Sequence, residues 1–166
     1  MHLHKYEKWW LVFGTGTLVA FLVILGIGAF HSGSHPNDTK WTIDYERVED
    51  FEPFNNPGVH KVEGKDWDYE VVLIASAFNY NPMEIELPLN AKVRFIATTK
   101  DVIHGFHITG TNVNMMLEPG YVSEYTTVVN KTGEYLIVCN EYCGTGHAFM
   151  YSTLKVVDPN ATNDSE

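Results

Sequence analysis

From Trp9 to Phe30 the chain runs for 22 residues without a charged side chain. At about 1.5 Å per residue, a helix over this run covers roughly 30 Å, one bilayer hydrocarbon core. Trp9 and Trp10 stand at its start, where indole rings favour the headgroup level. A cleaved export signal would carry a shorter apolar region, about 7–15 residues, followed by a small-x-small site. No Ala-x-Ala occurs here, so residues 1–30 are expected to form an uncleaved transmembrane anchor. Lys5 and Lys8 precede the span and only Lys40 closely follows it. The positive-inside rule then predicts a single-pass protein of the plasma membrane, with a cytoplasmic N-terminus and the remainder on the outer, periplasmic or extracellular, side.

That division reassigns the charge. Of the 166 residues, 11 are basic and 21 acidic, a formal charge of −10. The first thirty residues contribute +1 through Lys5, Lys8 and Glu7, leaving −11 on the remainder. A domain this acidic lacks the clustered positive surface that nucleic acid requires, so no nucleic-acid partner is expected. With 45% apolar and 13% aromatic residues it has ample material for a packed core.

Residues 31–68 read as a connecting segment. HSGSHPNDT (31–39) is polar with Gly and Pro, and 41–58 carries apolar residues at spacings compatible with one short amphipathic helix ending before Pro53. From Tyr69 the grammar becomes that of strands. YEVVLIAS (69–76) is continuous enough to be buried on both faces. MEIELPL (83–89), KVRFIATT (92–99), HGFHITG (104–110), YVSEYTTVV (121–129), EYLIVC (134–139) and MYSTLKVVD (150–158) follow, separated by turn residues. Short strands at this spacing, with no helix of ten residues among them, predict an antiparallel sandwich over 69–158. The tail 159–166 is polar and is expected to be disordered.

The chemistry is concentrated between the last two strands. Cys139-Asn-Glu-Tyr-Cys143-Gly-Thr-Gly-His147-Ala-Phe-Met150 has the spacing C-x3-C-x3-H-x2-M, and His104 opens an earlier strand. Two thiols, two imidazoles and a thioether are a soft donor set that selects copper or zinc over magnesium, calcium or manganese. Zinc gains nothing from a methionine, and a long axial Met beside Cys and His is a copper electron-transfer arrangement. One copper needs one thiolate. Two thiolates this close can each bridge two ions in a four-membered Cu2S2 core, with His104 terminal on one copper and His147 on the other. Met150 is then a long ligand to one copper, and the backbone carbonyl of Glu141 is the natural donor to the other. A disulfide between Cys139 and Cys143 would explain two cysteines but not the other donors.

This loop, with DVIHGFHI (101–108) before it, closely resembles the binuclear CuA site of cytochrome c oxidase subunit II. The likeness spans roughly 69–157 plus the anchor. A single spanning helix, DVIHGFHI and ASAFNYNP (75–82) are most similar to the ba3-type (B-family) haem–copper oxidases. Glu141 stands where those chains have Gln, as in the two-helix enzymes. The resemblance implies a mainly β fold, a cupredoxin-like Greek-key β-sandwich preceded by one N-terminal transmembrane α-helix. It implies ligation of two copper ions by His104, Cys139, Glu141 (carbonyl), Cys143, His147 and Met150. Single electrons from a soluble donor, cytochrome c or a small copper protein, would pass to the haem of subunit I for O2 reduction and proton pumping. Membrane lipid and subunit I are thus expected partners, and no bond is broken by this chain alone. Nitrous-oxide reductase has a similar loop but needs a large further domain; quinol oxidase subunits lack the ligands; a membrane-tethered copper carrier would hold one exchangeable Cu(I).

Other residues are read more plainly. Phe78 is the electron-entry candidate, with Tyr80 its neighbour in ASAFNYNP. His107, three positions from His104, faces the other side of the strand and reads as core. His2, His4, His31, His35 and His60 read as surface. Met115-Met116-Leu117 offers a hydrophobic edge or a donor-docking patch. Asn37, Asn130, Asn160 and Asn163 begin glycosylation sequons.

Overall fold

The computed structural model of the chain describes residues 4–31 and 38–160. The chain divides into two compact units, residues 1–35 and 36–166. In the first, α1 (Lys5–Phe30) is a 26-residue helix. His4 caps its N-terminus, and the His4 N–H donates to the Glu7 carboxylate at 2.7 Å. None of its residues is buried. A helix apolar on every side and covered by nothing has the surface of a membrane span. Among the described residues it is the one helix long and apolar enough for that.

The second unit is built from eleven strands: β1 (Asp38–Thr42), β2 (Gly58–Lys61), β3 (Tyr69–Ser76), β4 (Asn79–Asn81), β5 (Glu84–Pro88), β6 (Lys92–Thr99), β7 (His104–Ile108), β8 (Asn114–Leu117), β9 (Tyr121–Val128), β10 (Gly133–Val138) and β11 (Tyr151–Val157). They form two sheets. The first has the order β1-β9-β6-β3-β2, with β4 also paired to β3; the second has the order β5-β11-β10-β7-β8. This is the cupredoxin-like sandwich expected. It is not purely antiparallel, because β3 pairs with β6 and β11 with β5 in parallel.

Between the sheets, period-two alternation packs Val71, Leu73 and Ala75 of β3 and Val93, Phe95 and Ala97 of β6 against residues of the other sheet. Their counterparts there include Ile85, Phe106, Ile108, Ile137 and Leu154. Cys139, Cys143 and Met150 belong to this same core cluster. The other face of β3 is also buried: Val72 and Ile74, with Ile96 and Val122, pack under Val48 and Phe54. The near-continuous apolar run 69–76 thus has its cause in two hydrophobic layers rather than one.

That second layer corrects the reading of residues 31–68 as a connector. Two edge strands, β1 and β2, come from this segment and pair with β9 and β3. The helix expected within 41–58 is a six-residue 3-10 helix, Tyr45–Asp50, capped by the Asp44 carboxylate on the Glu46 N–H at 3.2 Å. Its apolar residues mimic helical spacing, yet Val48 and Phe54 descend separately onto the sheet. The strap is fastened by polar contacts as well. Trp41 donates its indole N–H to Glu124 at 3.2 Å. Glu124, 5% exposed, also pairs with Arg94 at 2.6 Å, and the Arg94 guanidinium stacks 4.4 Å from the Trp67 ring centroid. The sequons at Asn37 and Asn163, the histidines His2 and His35, and tail residues 161–166 lie outside the described residues.

A covering layer and a loose linker differ measurably. Phe54 is fully buried, so Phe54→Ala should cost about 3–5 kcal/mol by cavity formation, read by denaturant titration of the detergent-solubilised chain. A change within experimental error would mean that the segment is only draped on the sheet.

Candidate metal centre

Strand β10 ends at Val138 opposite Tyr151, and the next rung is Cys139 N–H to the Met150 carbonyl at 3.3 Å. The stretch between is therefore a hairpin connection closed at its base. A 3-10 turn, His147–Phe149, follows the bend at Gly144, with His147 N–H donating to the Gly144 carbonyl at 3.1 Å. Gly146 is required by contact: a Cβ there would lie 2.5 Å from the Phe78 ring. Gly105 on β7 is required likewise, because a Cβ would lie 2.7 Å from the Asn140 backbone nitrogen. These two approaches press β7 and the β3–β4 turn directly onto the loop.

The five side-chain donors read from the sequence come together in a continuous chain of contacts. Cys139 Sγ lies 3.9 Å from His104 Nδ1 and 3.7 Å from Cys143 Sγ. Cys143 Sγ lies 3.6 Å from His147 Nδ1 and 3.7 Å from Met150 Sδ. The Glu141 carbonyl oxygen is 3.1 Å from Cys139 Sγ, while the rest of Glu141 faces solvent. Both cysteines are free thiols, and their separation far exceeds the about 2 Å of a disulfide. His104, Cys139 and Cys143 are buried and their ligating atoms all lie within 4.8 Å of one another. Only His147 among the donors is half-exposed. A cleft of about 350 Å³, lined by Leu136, Val138, Cys139, His147, Ala148, Met150 and Tyr151, opens on that side. A larger cavity of about 580 Å³ lies at the other end of β7 and β10, between Ile108 and Tyr135, and contains none of these donors.

The electrostatics suit a cation. Burial, aided by the neighbouring Cys139, pushes the Cys143 thiol up to about 11. Two thiolates side by side in a core repel unless positive charge separates them. Their 3.7 Å spacing is less than twice a metal–sulfur bond of about 2.3 Å, zinc serving as the guide, so one ion can touch both.

Asp101 holds the histidine. Its carboxylate is 2.8 Å from His104 Nε2, which leaves Nδ1 turned to the thiols. It also accepts from the Ala77 and Val102 N–H groups and the Thr99 hydroxyl. Burial works against the ionised carboxyl, yet these hydrogen bonds, led by that from His104, hold it below its usual range. Sequence reasoning missed Asp101; a carboxylate three residues before a candidate ligand was the available signal.

Phe78 sits in the two-residue turn closed by the Ser76–Asn79 pair, at φ +66°. That conformation is disfavoured for a bulky residue, and it lays the ring on Gly144 and Gly146. Phe78 is 38% exposed, whereas Tyr80 is 1% exposed, so of the two aromatics Phe78 alone joins the loop to the surface. His107 bonds the Val113 carbonyl at 3.1 Å, away from the thiols. The three-residue patch Met115-Met116-Leu117 does not form: strand alternation buries Met115 and Leu117 and exposes Met116. Exposed apolar side chains missed from sequence, Val102, Ile103, Tyr142 and Phe149, lie on the loops that carry the donors.

The chain is similar to known proteins in sequence and fold. The family model for the periplasmic domain of cytochrome c oxidase subunit II matches residues 39–157. Cytochrome c oxidase subunit 2 of Thermus thermophilus is 37% identical over 153 residues, covering 91% of each chain. A second subunit 2 sequence of that organism is 41% identical over 114 residues, 69% of this chain and 84% of the other. A chain in the cryo-EM structure of a haem–copper terminal oxidase dimer superposes with a TM-score of 0.72 at 30% identity, over 92% of this chain and 100% of the other. The chain belongs to the cytochrome c oxidase subunit II family.

Proposed function

We propose that this chain is the electron-entry subunit of a haem–copper terminal oxidase, in which His104, Cys139, Cys143, His147, Met150 and the carbonyl of Glu141 hold a binuclear copper centre. The observation that carries the reading is the unbroken chain of donor contacts from His104 through both free thiols to His147 and Met150, each at 3.6–3.9 Å. When bound, the copper pair supplies a one-electron carrier whose charge is shared between two ions, so that little needs to move on reduction. The protein's part is rigidity. Donors from β7 and from a loop closed by a backbone rung are fixed by packing, which limits rearrangement on electron transfer. Asp101 selects the His104 tautomer, and Phe78 offers an aromatic path from the surface to the loop.

The anchor would keep the copper domain on the outer side of the membrane beside subunit I, whose haem receives the electron. The exposed apolar residues Phe78, Val102, Ile103, Tyr142 and Phe149 favour a soluble donor that docks by apolar contact.

Oxidised full-length chain loaded with copper should give an EPR spectrum with hyperfine coupling shared equally by two copper nuclei. A single-copper spectrum would refute the pair. Cys139→Ser and Cys143→Ser should each abolish it. Met150→Leu should retain copper and shift the reduction potential, because long axial ligands tune rather than hold the metal; total copper loss would show Met150 to be a principal ligand. In the metal-free chain, Cys143, raised to about 11, should be alkylated by iodoacetamide more slowly at pH 8 than free cysteine, with the rate climbing towards pH 11. Reactivity equal to free cysteine would contradict the burial argument. Electron transfer from a donor with an apolar face should stay within about twofold as ionic strength rises to 0.15 M; a steep fall would indicate charge-guided docking.

A further inference from the structure

We propose that Tyr80 is a positioning residue for the copper centre: its hydroxyl fixes Gly105, and Gly105 presents its N–H to the Cys139 sulfur. The inference rests on the binuclear copper reading above. Tyr80, at the centre of β4, is fully buried, with its ring meeting Phe106 edge-on at 5.8 Å and 80°. A phenylalanine would fill the same space. A buried hydroxyl must instead find a partner, and this one donates to the Gly105 carbonyl.

Gly105, opposite Met116 of β8, lies where the ladder between β7 and β10 has run out. Strand β7 pairs with β10 only at Ile137–Ile108 and Val138–His107. One step on, the chain leaves β10 as Cys139, and the Gly105 N–H points to Cys139 Sγ at 3.4 Å instead of to a carbonyl. The residue is thus tied on two sides, through its N–H to the sulfur and through its carbonyl to the phenol. It has no slack on the third, since Asn140 lies where a Cβ would be. An N–H directed at a metal-bound Cys139 sulfur would withdraw electron density from it and favour the reduced centre, so loss of the phenol tie should lower the potential.

The test is Tyr80→Phe in the full chain in detergent. Wild-type and variant protein should both load two coppers per chain. In the variant the sulfur-to-copper absorption bands should shift, the reduction potential should fall, and hydrogen exchange at the Gly105 amide should quicken. A merely structural hydroxyl would lower Tm and leave bands and potential where they were; that result overturns the proposal. If Tyr80→Phe fails to fold or load, replacement of Tyr80 by 3-fluorotyrosine keeps the shape and strengthens the donor. The potential should then rise, and an unchanged potential overturns the proposal. A wild-type chain that binds one copper overturns both this inference and the reading beneath it. A wild-type pair with a silent Tyr80 variant overturns this inference alone.

Discussion

Two thiols 3.7 Å apart in the core of a sandwich impose a charge problem. Burial and the neighbouring Cys139 disfavour the Cys143 thiolate, and a thiol is useful to a metal only when ionised. In the proposed copper site the surrounding architecture would answer this with donors from three directions: an imidazole from β7, an imidazole and a thioether from the loop, and a carbonyl from the turn between the cysteines. Packing in the core places the thiols together. A surface hairpin with the same sequence would leave them free to separate or to oxidise to a disulfide.

The supports for that placement are backbone contacts at glycines and polar contacts at one carboxylate. Gly105 lets β7 lie against the loop, and Gly146 lets the Phe78 ring do the same from the other side. Asp101 links them, with His104 on one oxygen and the Ala77 N–H, next to Phe78, on the other. His104 and the loop of the surface aromatic are therefore held by a single side chain. The left-handed backbone at Phe78 fits this view: an unfavourable conformation is maintained where it lays a ring on the metal loop.

The sequence disclosed what is local. Cys139, Cys143, His147 and Met150 fall within one loop, so spacing alone assembles them, and the run 69–76 announced burial on two faces. It concealed what depends on distant partners. Strands β1 and β2 are five and four residues long, and β1 pairs with the distant β9, so 38–61 looks like a connector. Tyr80 and Phe78 are two residues apart and chemically alike, yet opposite exposure gives them different work. Asp101 carries no motif. Adjacent Met115 and Met116 resemble a patch until strand geometry sends them to opposite faces.

Strand order along the chain also sets an order of completion. Every strand of the first sheet, from β1 through β9, lies before residue 129, whereas β10, the loop and β11 come afterwards. During synthesis the first sheet and its covering strap have all their parts while both cysteines are still missing. The final hairpin, carrying four of the five side-chain donors, is made after every strand of the first sheet. The thiols are thus among the last parts of the domain to be made, after the strand that bears His104 and the turn that bears Phe78.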